Sequence, residues 1–174
     1  MGMPIVADTK NWTWVLEREC PECGFDSSST AAVDVPRLTR ENAAAWPAVL
    51  ARPNVSERPD AETWSALEYS AHVRDVFRIF RTRLALMLDE DDPEFANWDQ
   101  DATAIDERYN EQDPAIVSAG LLEAGEAFAV LLEHVRDDQW QRTGRRSDGS
   151  VFTVDTLARY FIHDPVHHLF DVHR

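Results

Sequence analysis

The sequence predicts an all-α protein: a four-helix bundle with a short extended arm at its N-terminus and a small hairpin before its last helix. Three observations predict it. Apolar residues recur at helical spacing in four separate stretches. Each stretch opens on a residue suited to starting a helix, Pro36, Thr63, Asp113 with Pro114, and Thr153. Three histidines, His72, His163 and His167, fall on faces that otherwise point inward, and the core of a four-helix bundle is a recognised place for metal ligands. No internal repeat and no linker separates a second unit, so residues 1–174 read as one domain, an arm over 1–35 followed by the bundle over 36–174.

Taken in order, residues 11–17 alternate apolar and polar side chains (Trp12, Trp14, Leu16), which predicts a short strand or extended arm lying on the bundle. The Cys20-Pro21-Glu22-Cys23-Gly24 turn ends it. The first helix runs over about residues 36–51, with Leu38, Ala43, Trp46 and Leu50 on one side and Pro53 as its stop. The second starts at Thr63 as N-cap and carries Tyr69, Val73, Val76, Phe77, Phe80, Leu84 and Met87 as one stripe. Residues 89–110 are acidic, contain Pro93 and show no period; they read as a long loop with short helical pieces. Asp113 and Pro114 open the third helix, whose Val117, Leu121, Ala124, Phe128, Leu131 and Val135 alternate steps of four and three. Arg146-Ser147-Asp148-Gly149 is the turn of a hairpin, and Thr153 caps a fourth helix that reaches the C-terminus.

A net charge of −15, from 32 acidic and 17 basic residues, makes the average field repel phosphate polymers and anionic lipid, so nucleic acid and membrane surfaces are poor partners. Lys10 is the sole lysine, and the arginine, alanine and aspartate bias is that of a GC-rich genome such as an actinobacterium's. The first ten residues carry no charged leader, and no later stretch reads as the roughly 20 apolar residues that span a bilayer. Gly2 lacks the Ser or Thr four positions on that myristoylation needs, Val6 standing there. A cytoplasmic location is expected. Cys20 and Cys23 are the only cysteines; one C-x-x-C is half of a structural zinc site, which needs a second pair or added histidines.

His163 and His167 lie about 40° apart on one helical face with Tyr160 and Phe170, and His72 falls between Tyr69 and Val76 in the buried stripe of the second helix. Three neutral imidazoles make a zinc-type site with an open coordination position, nickel and iron(II) being the other divalent ions such donors suit. A lone core histidine is more often simply hydrogen-bonded, so it is the set of three that carries the argument. Pro165 should kink the fourth helix between the pair. His168 is turned about 100° from His167 and reads as a surface or ligand-orienting residue; His134 and His173 lie off the apolar series. Glu68 and Asp171, each four residues from a ligand, are candidates for orienting an imidazole. Trp98 and Tyr109 in the long loop are candidates for the wall of a pocket above the metal.

The stretch Trp64-Ser65-Ala66-Leu67-Glu68-Tyr69-Ser70-Ala71-His72, followed downstream by His163-Asp164-Pro165-Val166-His167-His168, resembles the DinB superfamily over roughly residues 36–173. That resemblance implies a four-helix bundle with a three-histidine metal site, one ligand from the second helix and two from an H-x-x-x-H in the fourth, the places held here by His72, His163 and His167. It also implies chemistry on low-molecular-weight thiols, mycothiol being the natural cosubstrate in an actinobacterium. The Trp12-Thr13-Trp14 arm and the cysteine turn are additions to the family pattern, resembling an actinobacterial subgroup. The expected activity is therefore a metal-dependent transferase that activates a thiol for attack on a small electrophile. The alternatives are metal-dependent hydrolysis of a small molecule at the same site, or a non-catalytic metal-binding stress protein, with a homodimer formed through an apolar helix face. No G-x-S-x-G motif supports a serine hydrolase.

Overall fold

The computed structural model describes Ile5 and residues 11–174. The stretch before residue 11, read above as free of a leader and of a lipidation site at Gly2, otherwise lies outside the described residues. Five α-helices and a small sheet follow one another: α1 (Val35–Leu50), α2 (Ala66–Asp89), β1 (Glu94–Phe95), α3 (Gln100–Asp106), α4 (Pro114–Glu133), β2 (Thr143–Arg146), β3 (Val151–Thr153) and α5 (Val154–Asp171). The long helices α1, α2, α4 and α5 form the bundle, α4 and α5 each lying against both α1 and α2.

Local chemistry explains the boundaries. Pro36 sits in the first turn of α1, where its missing amide costs nothing. Thr63 is not the cap of α2: Ser65 accepts from the Glu68 amide while Glu68 accepts from the Ser65 amide, a reciprocal capping box that Thr63 lacks the partner to make. Asp113 caps α4 and Thr153 caps α5, as the sequence predicts. The arm departs from expectation. Trp12–Leu16 is a 3-10 helix capped by Asn11 rather than a strand, which turns Trp12 toward α5 and buries Val15.

The core runs through Trp46, Phe77, Phe128, Leu132, Leu157 and Phe161, all essentially inaccessible to solvent, with the Phe128 and Phe161 rings 4.3 Å apart at the centre. A second cluster around Tyr109 fills the space between Leu50, Val55, Leu67, Ala71 and Val117. Helix α4 has a mean hydropathy of 1.7 and a length of 20 residues, enough by composition to cross a membrane and more apolar than the sequence reading above allowed. Its Val117, Leu121, Gly125 and Phe128 are nonetheless core residues of the bundle.

The predicted hairpin is present as β2 and β3, and β1 from the long loop pairs parallel to β2, making a three-stranded sheet in the order β1-β2-β3. This sheet ties the loop to the base of α5. Gly144 lets β2 pass close to α2: a Cβ there would stand 2.6 Å from Met87 Cγ and 3.1 Å from Phe95. Gly144→Ala should therefore cost about 1–3 kcal/mol, the range for overpacking, read as a lower urea midpoint with unchanged slope.

Candidate metal centre

Helix α5 carries two overlapping pairs of donors. Successive helical residues are turned by about 100°, so His163 and His167 form one ridge and Asp164 and His168 the next. The core-facing side of α5 is Leu157, Ala158, Phe161, Ile162 and Pro165. His163 and His167 lie roughly opposite that side, buried not by the bundle but by the arm, whereas Asp164 and His168 flank it on the side of α2.

The two ridges accordingly meet different partners. His72 Nε2 is 3.3 Å from Asp164 Oδ1, and His168 Nε2 is 3.8 Å from the same oxygen. One donor each from His72, Asp164 and His168 lies within 4.8 Å of the others. On the other ridge, Cys20 Sγ is 3.6 Å from His167 Nδ1, and Cys20, Cys23, His163 and His167 form a second group with the same mutual limit. The structure thus does not place His72 in one group with His163 and His167. The α5 donors that meet His72 are one residue on from the expected pair, because the core side chains, not the histidines, fix the helix's rotation.

Asp164 and His168 are donors the sequence reading did not assign: His168 is off the His167 face, and Asp164 is turned by the same 100° step from His163. Both facts are correct; the face they share is the one turned to α2. An overlapping D-x-x-x-H in His163-Asp164-Pro165-Val166-His167-His168 is the signal that would have found them.

His72 is inaccessible to solvent and is held by aromatic rings. Trp98 stacks on it with ring centroids 5.2 Å apart and planes at 5°, and Trp64 approaches at 5.4 Å. Trp98 is itself pinned by its indole N–H donating to Thr103 Oγ1 at 2.7 Å. Asp171 faces His168 Nδ1 at 3.1 Å and His167 Nε2 at 3.7 Å, so it touches both ridges. Glu68 does not reach His72; it is spent on the capping box and on Arg58, at 2.8 Å and 2.5 Å. Tyr109 is not a pocket wall either, for its ring fills the second cluster and its hydroxyl donates to Asp75 at 2.6 Å.

Although burial opposes it, the imidazoles of His72 and His168 hold the Asp164 carboxyl well below the usual range. Asp171 is lowered in the same way, burial being outweighed by His168. Burial pushes His163 down to about 4 and the Cys23 thiol up to about 11. A metal requires deprotonated ligands, and an ionised Asp164 carboxylate meets that requirement. The donors also fit an ion on geometry: Asp164 Oδ1 is buried without a hydrogen bond, and its separations of 3.3 Å from His72 Nε2 and 3.8 Å from His168 Nε2 are longer than good hydrogen bonds.

Asp164 and His168 line a cavity of about 600 Å³, together with Trp64, Tyr69, Trp98, Arg83, Arg146 and Tyr160, and with Trp12 of the arm. Arg83 is buried, donates to the Ala96 carbonyl at 3.0 Å and lies over the rings of Phe80 and Phe95. Burial and the neighbouring Arg146 lower its pKa to about 10, which leaves it charged at neutral pH.

A family model described as the DinB superfamily matches residues 37–170. Among solved structures, YfiT from Bacillus subtilis, described as a probable metal-dependent hydrolase with an unusual four-helix bundle topology, matches with a TM-score of 0.68 and 19% identity, over 81% of this chain and 83% of its own. At that identity the likeness is one of fold. No curated protein matches the chain.

Proposed function

The chain belongs to the DinB superfamily, and on that premise we propose a metal-dependent enzyme whose ion is held by His72, Asp164 and His168 and which transfers a low-molecular-weight thiol to a small electrophile. Mycothiol is the thiol to test first. The observation that carries the reading is the convergence of two imidazoles and a carboxylate beside a cavity of about 600 Å³, a volume within the range of small-molecule sites. A divalent ion held there, zinc, nickel or iron(II), supplies a Lewis acid that lowers the pKa of a thiol or a water.

The chain's own residues do the rest. Asp171, accepting from His168 Nδ1, presents Nε2 toward Asp164 and makes the imidazole a better donor. Trp98 and Trp64 fix the His72 ring and keep water from it. Arg146 is paired with Asp148 at 2.7 Å, so it is Arg83 that gives one part of the cavity wall a positive charge, which suits an electrophile or thiol bearing a carboxylate. Asp171→Asn should lower metal affinity at this centre, and kcat/KM with it, by about 10–100-fold, with the helical spectrum unchanged.

Hydrolysis is the second reading, because it needs the same residues and YfiT is described as a probable hydrolase. One assay separates the two. Zinc-loaded protein is given mycothiol with chlorodinitrobenzene, and separately a nitrophenyl ester without thiol. In the first, a sulfur–carbon bond forms, chloride leaves and the thiol proton passes to solvent. Turnover that requires thiol supports transfer; ester turnover without thiol moves the assignment to hydrolysis. Neither activity in a protein that retains its metal returns it to a non-catalytic role.

A further inference from the structure

We propose that Cys20, Cys23, His163 and His167 form a second metal site, a closed zinc site that fastens the N-terminal arm to α5 and is separate from the His72 centre. The donors are the set that structural zinc takes, two thiolates from a C-x-x-C and two imidazoles one helical turn apart. Zinc bonds of about 2.3 Å to sulfur and 2.0–2.1 Å to nitrogen place the two ligand atoms of a tetrahedron about 3.6 Å apart, and Cys20 Sγ lies 3.6 Å from His167 Nδ1. All four donors are within 4.8 Å of one another. With four protein ligands no position is left open, which marks a structural site.

The surroundings are built for the same purpose. Both cysteines are free thiols. The turn that presents them is closed by the Gly24 amide donating to Cys20 O at 2.9 Å and the Cys20 amide donating to Phe25 O at 2.8 Å, with Gly24 at φ +73°, where a side chain would be strained. His163 is 4% exposed, and its Nε2 is buried with no hydrogen-bond partner among the described residues. An orphaned imidazole nitrogen costs stability unless something binds it. Trp12 and Phe25 lie against the His163 ring at 5.6 Å each and exclude water from it. His167 Nε2 faces Asp171 at 3.7 Å and Glu22 at 3.9 Å, carboxylates placed as outer partners of a zinc-bound imidazole.

The site has a consequence for the neighbouring one. Each of its histidines precedes a donor of the His72 centre by one residue, so the clamped arm covers the ridge of α5 next to Asp164 and His168, whose aim at α2 the core side chains set. The arm also brings Trp12 to the cavity wall.

The test is zinc content per full-length chain, kept under reductant, for the wild type, Cys20→Ser/Cys23→Ser and His72→Ala/His168→Ala. Two, one and one are expected. Cobalt replacing zinc should give a sulfur-to-metal charge-transfer band in the wild type and in His72→Ala/His168→Ala, and none in the cysteine variant. If the cysteine variant fails to fold, the wild-type spectrum decides alone. Cobalt-loaded wild type without a thiolate band, or a folded cysteine variant with undiminished zinc, overturns the proposal. A wild type with one zinc and a full thiolate band supports it while removing the ion from the His72 centre.

Discussion

Asp164→Ala and His72→Ala should each lose the ion of the His72 centre and more than about 100-fold of kcat/KM, exceeding the 10–100-fold cost of removing a residue that only orients a ligand. His163→Ala should instead lose the ion bound with the cysteines and keep the His72-centre ion. The contrast is diagnostic. Were His72, His163 and His167 a single ligand set, His163→Ala would behave like His72→Ala, and Asp164→Ala would keep its metal. Metal analysis on the three purified variants, read beside circular dichroism, checks this without knowledge of the substrate. Asp164→Asn sharpens it: the amide keeps the shape but removes the charge that the two imidazoles stabilise in the carboxylate, so metal loss there points to the charge and not to a disturbed helix.

Most of the fold was legible because it is local. The stripe from Tyr69 to Met87 and the caps at Asp113 and Thr153 are properties of neighbouring residues, and they set α2, α4 and α5. The Ser65 capping box was equally local, but Thr63 offered a competing cap two residues earlier. What escaped depended on distant partners. The two-residue β1 exists only because β2, some fifty positions on, offers its edge, and a strand that short leaves no period. The alternation of Trp12, Trp14 and Leu16 resembles a strand until Asn11 caps a 3-10 turn beneath it.

The site was legible in its parts, and the described structure groups its donors differently from the sequence expectation. His72 as an inward donor, Trp98 as a wall and Asp171 as a partner of an imidazole all stand in the described structure. The choice between H-x-x-x-H and the overlapping D-x-x-x-H turns on a single 100° step, and periodicity alone does not resolve it when Tyr160 and Phe170 supply apolar neighbours on the first face. Their face is covered by the arm, an element whose docking no pattern within α5 announces. For the same reason the cysteine pair looked like half of a site: the histidines it meets lie more than a hundred residues away, His167 being 147 positions after Cys20.

Phe161→Ala should cost about 3–5 kcal/mol, the range for removing a buried aromatic ring. Phe161 is fully buried, and its ring meets Phe128 at 4.3 Å, Phe80 at 5.4 Å and Phe77 at 5.8 Å, so three helices lose their common contact at once. Those neighbours are rigid rings that collapse poorly into a void, which places the cost toward the upper end. Against a total stability of roughly 5–15 kcal/mol for a domain, the urea midpoint should fall by a large fraction while the slope holds. The residue also sits on the face of α5 that sets its rotation, two positions before His163 and three before Asp164. Metal bound to the native state opposes unfolding by mass action. The loss measured in excess zinc should therefore exceed the loss measured in chelator only if the cavity also weakens metal binding; equal losses with and without zinc would show that the core and the donors on α5 are energetically independent.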